Sequence, residues 1–213
     1  MNADRIARHY QSLEYLCFGS ALEKRRFAFL TQAGSSLYAL LCGGGDGRFL
    51  ERLVRSNPEV RVDFVESSAK MVERAKSRIA AADCDARARV RFYATDIRDF
   101  EPQQRAYDLI ASHFFLDCFT ESEAAVVVAR LAGWAAPGAR WIISEFRETE
   151  GAVGRVLSRC VIRSLYFTFR VTTDLRVTEL PNYSVLLSNA GFGLRAEQTA
   201  LGGLLTSTLW QRD

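Results

Sequence analysis

Apolar and polar positions change period several times between residues 36 and 210. Short apolar runs predict buried strands at residues 37–42 (LYALLC), 60–65 (VRVDFV), 90–93 (VRFY), 107–112 (YDLIAS) and 140–144 (RWIIS). Longer amphipathic stretches between them predict helices from the glycines after residue 42 to residue 55, over 69–82, and over 121–134. In the last of these Val126, Val127, Arg130, Leu131 and Trp134 fall at helical spacing. Asn57-Pro58 and Pro137-Gly138 read as turns, the second leading into the fifth strand. Further on come a basic, helix-like stretch over 152–169, an amphipathic helix over 182–189 and strand-like runs at 192–198 and 204–210. Five βα units followed by an antiparallel pair predict a Rossmann-like α/β fold: a seven-stranded, mostly parallel sheet with helices on both faces. Ahead of it, residues 5–30 carry Ile6, Tyr10, Leu13, Leu16, Leu22, Phe27 and Leu30 in one or two helices, with a break expected near Gly19.

Length and composition narrow the class. A chain of 213 residues with no repeat, low-complexity segment or linker reads as a single domain over 1–213. Hydrophobic residues at 48% and charged residues at 25% are those of a soluble globular protein, which argues against disorder. A net charge of +3 is too slight for a nucleic-acid footprint. The five cysteines, Cys17, Cys42, Cys84, Cys118 and Cys160, contain no C-x-x-C pair and are odd in number, so neither a metal site nor a disulfide framework is expected. A reducing, cytoplasmic setting fits them. Asp4, Arg5, Arg8, Glu14, Glu23 and Lys24 interrupt any signal-peptide core. The longest uncharged run, residues 27–45, is divided by Thr31, Gln32, Gly34, Ser35 and Ser36, so no transmembrane segment is expected.

The densest chemical signal is Cys42-Gly43-Gly44-Gly45-Asp46-Gly47-Arg48 at the carboxyl end of the first strand. Glycines there allow positive φ and close backbone approach, and the next helix offers free N–H groups, so the turn can wrap a ligand as well as simply reverse the chain. Gly43, Gly45 and Gly47 give G-x-G-x-G, with Arg48 where the third glycine of a dinucleotide fingerprint belongs. No Gly-Lys-Ser/Thr follows, which excludes a P-loop. Glu66 closes the second strand 19 residues after Gly47, in place for a ribose diol. The combination points to a nucleoside without a pyrophosphate.

In these features the chain resembles the class I S-adenosylmethionine-dependent methyltransferases over nearly its whole length. Matching segments are residues 40–47 (LLCGGGDG), 62–67 (VDFVES) with Met71 one turn later, Ala94-Thr95-Asp96-Ile97, 107–112 leading into His113-Phe114-Phe115-Leu116-Asp117, and 134–146 (WAAPGARWIISEF). The resemblance implies that Cys42, Gly43, Gly44, Gly45, Asp46 and Gly47 border the methionine part of the cofactor, and that Glu66, beside Ser67, holds the ribose. Asp96 would accept from the adenine amino group, with Met71 and Ile97 on the ring faces. Each has a bland alternative: a strand-end carboxylate, a turn aspartate, a core methionine. Where many members carry an acid two residues before the first glycine this chain has Leu41, and Asp46 is expected to face the cofactor's charged end instead. The resemblance also makes residues 1–35 a helical lid, 36–146 the cofactor-binding units, and 147–213 the acceptor-side helices and closing strands.

Methyl transfer from a sulfonium needs near-attack positioning, and a base only if the acceptor must lose a proton. His113 and Asp117, after the fourth strand, are the candidate catalytic residues, with Glu145 nearby and His113 also a candidate for the cofactor shell. His9 falls in the lid. The sequence after the fourth strand lacks the Asn/Asp-Pro-Pro-aromatic pattern of base-modifying amino-methyltransferases, so the expected partner is a small molecule and no nucleic acid. Tyr10, Tyr15, Phe18, Phe114, Phe115, Phe119, Phe146, Tyr166, Phe167 and Phe169 suit an aromatic or apolar acceptor, and Arg155, Arg159, Arg163 and Arg170 a possible anionic group on it. A nicotinamide-nucleotide oxidoreductase and a non-catalytic binding module on the same fold are the rival readings.

Overall fold

The computed structural model describes residues 20–82, 85–103, 106–149 and 180–213. Seven strands form one sheet: β1 (Tyr38–Cys42), β2 (Arg61–Glu66), β3 (Val90–Ala94), β4 (Tyr107–His113), β5 (Ala135–Phe146), β6 (Phe192–Ala200) and β7 (Leu205–Arg212). Their order is β3-β2-β1-β4-β5-β7-β6, and only β7 runs antiparallel to its neighbours. This is the predicted seven-stranded Rossmann-like sheet with its single reversed strand. The described helices are α1 (Ala21–Arg26), α2 (Arg48–Ser56), α3 (Ala69–Ala82), α4 (Glu121–Trp134) and α5 (Tyr183–Asn189).

The alternation along β1 explains the layering. Leu40 and Cys42 point to one face, where Ile110, Val127, Leu131, Trp134 and Trp141 pack beneath α4 and α5. Ala39 and Leu41 point to the other, where Phe49, Leu53, Val62, Val72 and Ile79 pack beneath α2 and α3. A strand buried on both faces reads as a continuous apolar run, as β1 does. Thr120 starts α4 with a capping box: its hydroxyl accepts from Glu123 N while the Glu123 carboxylate accepts from Thr120 N. Asn57 secures the predicted turn before β2 by donating to Ser36 O at 2.7 Å and accepting from Glu59 N at 3.1 Å.

Two local readings change. The Pro137-Gly138 turn does not precede β5 but lies inside it as a bulge: Ala135 pairs with Tyr107, the register then shifts, and pairing resumes at Leu109 with Arg140, Gly138 taking φ +72°. A helix reaching residue 30 is replaced by the six-residue α1 and a 3-10 turn at Leu30–Ala33. Arg25 O fixes α1 to the sheet by accepting from Ser144 Oγ at 3.0 Å and Ser207 Oγ at 2.8 Å. The rest of the expected lid, with His9, Tyr10, Tyr15, Phe18 and Gly19, lies outside the described residues, as do Cys84, the basic helix with Cys160, Arg155, Arg159, Arg163 and Arg170, and the aromatics Tyr166, Phe167 and Phe169. Among the described residues no helix is long and apolar enough to cross a membrane.

Because β1 connects outward to β2 and β4 lies on its other side, the sheet changes direction between β1 and β4. Loops leaving the carboxyl ends of those strands diverge and leave a crevice there.

Candidate functional site

The crevice is a cavity of about 370 Å³ above the carboxyl ends of β1, β2 and β4. It is bordered by Cys42, Gly43, Gly44, Gly45, Asp46, Glu66, Ser67, Met71, Asp96, Ile97 and His113, so the structure gathers these residues from five separate stretches of sequence around one space. Gly47 and Asp117 of the predicted set are not on its wall.

The glycines of the turn do different work. Gly45 takes φ +57°, and a Cβ built on it meets nothing within 4 Å, so the backbone there opens onto free space. Gly47, at φ +82° as N-cap of α2, would place a Cβ 2.7 Å from Ala75 Cβ. Its lack of a side chain lets α2 and α3 approach each other. Cys42 is buried and its thiol is pushed far up by burial, which makes it an inert neutral wall.

Glu66 ties the turn to the end of β2. Its carboxylate accepts from Gly45 N at 3.0 Å and Ser68 N at 2.9 Å, with Ser67 Oγ at 3.4 Å. Burial raises its proton affinity, and these hydrogen bonds work against that rise. A carboxylate offers about four lone-pair directions, so acceptor capacity remains for hydroxyl donors in the cavity. Asp96 is clamped by Arg98, whose Nε and Nη2 donate at 3.0 and 2.8 Å, and those bonds hold its carboxyl below the usual range. Arg98 also pairs with Glu123 at 2.8 Å and lies over the Phe119 ring. Met71 and Ile97, both buried, supply apolar wall beside these acids.

Asp46, on the cavity wall, is held by two arginines. Arg48 Nε donates to one of its oxygens at 3.0 Å and Arg78 Nη2 to the other at 3.2 Å, while Arg78 Nε bonds its carbonyl at 3.0 Å. Its charge is thus balanced by two guanidinium groups, and Leu41 leaves the end of β1 without an acid.

At the end of β4, His113 is half-buried against the Phe49 ring, with centroids 4.5 Å apart. Its Nδ1 lies 3.0 Å from Ser144 Oγ. Ser144 Oγ also lies within hydrogen-bond distance of Arg25 O and Ser207 Oγ, and where its proton goes to Arg25 O its oxygen accepts from Nδ1–H, the tautomer that leaves a lone pair on Nε2. Nε2 is buried and has no hydrogen-bond partner among the described residues. Burial, and then the positive charge of Arg26, hold the ring's pKa well below its ordinary value, so it is neutral at pH 7. Asp117 lies behind this wall. Its carboxyl is raised to about 6 by burial, and Glu145 is raised further by burial and by repulsion from Asp117. Glu145 Oε1 accepts from Phe115 N at 3.1 Å and Leu116 N at 2.8 Å, fixing the loop that carries both candidates. Burial drives the Cys118 thiol upward, with Asp117 and Glu145 adding to it.

Arg26, Phe49, Thr95, Arg98, Phe114, Phe115, Cys118, Phe119 and Glu123 also border the cavity. Of these, Phe114, Phe115 and Phe119 were expected near the acceptor. Arg26 and Phe49 were not, because a buried arginine on a short helix and a core-spaced phenylalanine carry no motif.

A family model described as a methyltransferase domain matches residues 40–141. Alpha N-terminal protein methyltransferase 1 of Arabidopsis thaliana is 26% identical over 137 residues, covering 64% of this chain and 49% of its own length. N-terminal Xaa-Pro-Lys N-methyltransferase 1 of Bos taurus is 27% identical over 135 residues, covering 63% and 58%. The chain thus matches only about half of each of these relatives. Among solved structures, an O-methyltransferase family protein from Burkholderia thailandensis superimposes with TM-score 0.62 at 22% identity, over 99% of this chain and 58% of that one. The N-methyltransferase NodS from Bradyrhizobium japonicum in complex with S-adenosyl-l-homocysteine gives 0.66 at 14% identity, over 95% and 97%. These structures share the fold.

Proposed function

We propose that this chain, a member of the methyltransferase-domain family through residues 40–141, transfers the methyl group of S-adenosylmethionine to a small acceptor with an aromatic or apolar body. The observation that carries the reading is Glu66, docked on Gly45 N and Ser68 N at the rim of a cavity whose other walls are the glycine turn, Met71 and Ile97. The residues fit the cofactor: a Cβ-free opening at Gly45, a ribose-seeking carboxylate, and an apolar slot beside an acid for a purine.

When bound, S-adenosylmethionine supplies a methyl group on an electrophilic sulfonium and leaves as S-adenosylhomocysteine. Glu66 accepts from the ribose hydroxyls. Asp96, kept ionised by Arg98, accepts from the adenine amino group, and Met71 and Ile97 cover the ring. His113, neutral and with its Nε2 lone pair bare, takes the acceptor's proton where the acceptor has one to lose. Phe49, Phe114 and Phe115 exclude water around it. Asp117 acts at one remove, by shaping the loop behind His113. Residues 1–213 serve as one catalytic unit in a reducing cytoplasm, with no nucleic acid as substrate.

A peptide amino terminus is the second reading, favoured by the two N-terminal protein methyltransferases similar to this chain. The decisive experiment has two steps. Calorimetry compares S-adenosylhomocysteine with NADH, and only the former should bind. Labelled methyl transfer is then measured on phenols, amines and carboxylic acids against peptides beginning Xaa-Pro-Lys. Label on peptide alone replaces the small-molecule reading, and NADH binding replaces both.

A further inference from the structure

The loop after β4 is held to the sheet by the end of β5. Three consecutive N–H groups of the loop find acceptors there: Phe114 N donates to Ser144 O at 2.6 Å, and Phe115 N and Leu116 N donate to Glu145 Oε1 at 3.1 and 2.8 Å. Phe114 takes φ +53°, left-handed backbone that is rare without glycine and persists only where its surroundings enforce it. Without these contacts the loop would relax toward ordinary backbone. Its position matters to the cavity, because Phe114, Phe115 and Cys118 border that space. The Phe115 ring also lies so close to the glycine turn that a Cβ on Gly43 would come within 2.3 Å of it.

Glu145 is 1% exposed and Asp117 6%, and the two carboxyls are hydrogen-bonded to each other. Two carboxylates cannot make that bond, since neither has a donor, so one proton lies between them. Glu145 holds it. Burial and the negative charge of Asp117 raise the Glu145 carboxyl well above the ordinary range, whereas Asp117 is raised only to about 6. Its Oε1 is occupied by the two loop N–H groups, while Oε2, buried, accepts from no group among the described residues and is the oxygen left to carry the proton. The titratable groups beside the pair are Cys118 on the same loop and Tyr183 on α5, both pushed up by burial and so neutral near pH 7. Arg147, just after β5, and Glu197 of β6 act on Tyr183, and Glu66 of β2 acts on Cys118.

We propose that Glu145 is a positioning residue for the methyl transfer: sharing one proton with Asp117, it latches residues 114–118 in place and so holds that wall of the cavity. The role rests on the methyltransferase reading. In the latched form Glu145 is a neutral acid that accepts from two loop N–H groups and donates to Asp117. Opening the loop returns its carboxyl to water, where it ionises, so opening becomes easier as pH rises above the ordinary carboxylate range. The latch is tight in mild acid and loosens toward alkaline pH.

Hydrogen exchange at the Phe115 and Leu116 amides, corrected for the intrinsic rate at each pH, reads the latch. The amides of β1 serve as the reference for opening of the whole fold. The proteins compared are the unsubstituted chain, Glu145→Gln, which keeps an acceptor and a donor but cannot ionise, and Glu145→Leu. Protection in the unsubstituted protein should fall by up to about ten-fold per unit from about pH 6 to 8. It should be flat over that range in Glu145→Gln and low throughout in Glu145→Leu. Calorimetry with S-adenosylhomocysteine at about pH 7 should place Glu145→Gln within about two-fold of the unsubstituted protein and Glu145→Leu roughly ten-fold weaker. Protection that ignores pH in the unsubstituted protein overturns the proposal. So does a Glu145→Gln as poorly protected as Glu145→Leu, because an ionised carboxylate then holds the loop. If Glu145→Leu does not fold, the pH profile of the unsubstituted protein against Glu145→Gln decides alone. A folded Glu145→Leu with unchanged affinity for S-adenosylhomocysteine removes the positioning role. If the unsubstituted protein does not bind S-adenosylhomocysteine, the methyltransferase reading fails and the positioning role with it, whatever the protection profile.

Discussion

Replacing Glu66 with alanine tests the centre of the proposed cofactor site, and the structure separates its two consequences. The side chain is 9% exposed and accepts from two backbone N–H groups, at 3.0 Å from Gly45 and 2.9 Å from Ser68. Truncation leaves both donors in a poorly hydrated wall at about 1–3 kcal/mol each, so the fold itself should lose about 2–4 kcal/mol after partial relaxation. Burial had raised the proton affinity of Glu66, and relief of that desolvation offsets part of the cost. Ligand affinity should fall separately, by about 1.5–3 kcal/mol for a charge-assisted bond to a ribose hydroxyl, or roughly ten- to hundred-fold in Kd. Calorimetry with S-adenosylhomocysteine at a temperature where the variant remains folded reads the second term, and a thermal melt reads the first. The unsubstituted protein should lose a similar factor against a 2′,3′-dideoxy analogue, and Glu66→Ala should add little to that loss, since both remove the same contact. A variant that melts lower but binds S-adenosylhomocysteine with unchanged Kd would refute the ribose role and leave Glu66 as a brace for the turn.

Asp117→Asn should raise stability near pH 7–8 relative to the unsubstituted protein, because a carboxyl raised from 3.8 to about 6 disfavours the native state by up to about 3 kcal/mol once ionised. That loss accrues as pH rises from about 4 to 6, so denaturant unfolding should show a flatter slope there in the variant, and an unchanged slope sinks the assignment. His113 has the opposite sign: its native pKa is depressed, so stability is full above about 6.5 and declines as pH falls below it, and His113→Gln should remove that acid-side decline. In turnover, the same variant should lose roughly 10²–10⁴ with cofactor Kd nearly intact, and parallel losses in both would make His113 part of the cofactor shell instead. Gly47→Ala should destabilise the fold by roughly 2–4 kcal/mol, from left-handed backbone plus the 2.7 Å approach to Ala75, and a melt within a degree of the unsubstituted protein contradicts that packing role.

The sheet was legible because its strands are buried on both faces and so appear as apolar runs, and because a parallel strand needs a helix to return. β5 was misjudged at its start since Pro137-Gly138 carries turn chemistry, while the pairing of Ala135 with Tyr107 that pulls it into the sheet is a tertiary event. This part of the cavity wall was legible for a related reason: Gly45, Glu66 and Asp96 sit at fixed offsets from strand ends, and strand ends are where crevices form. The ion pairs of Asp46 were not legible, because the two arginines lie on α2 and α3 and nothing in the local pattern shows them converging. Arg26 was missed on the same ground. One arginine among many charged residues becomes chemically distinct only when α1 packs against the ends of β5 and β7.

That docking of α1 bears on how the candidate base works. Ser144 on β5 and Ser207 on β7 face each other in register, and both donate to Arg25 O, so one carbonyl at the end of α1 consumes two hydroxyl protons. With its proton on Arg25 O, the Ser144 oxygen accepts from His113, an arrangement that favours the Nδ1–H tautomer with the lone pair on Nε2. Burial holds the ring neutral, and the charge of the next residue of α1, Arg26, adds to that effect. The end of α1 therefore bears on both the hydrogen bonding and the charge state of His113. Asp117 stands behind the wall, with its carboxyl raised by burial beside Glu145. Removing the serine relay while leaving the imidazole in place, as in Ser144→Ala, should accordingly lower the fraction of the productive tautomer and slow proton transfer while the cavity keeps its shape.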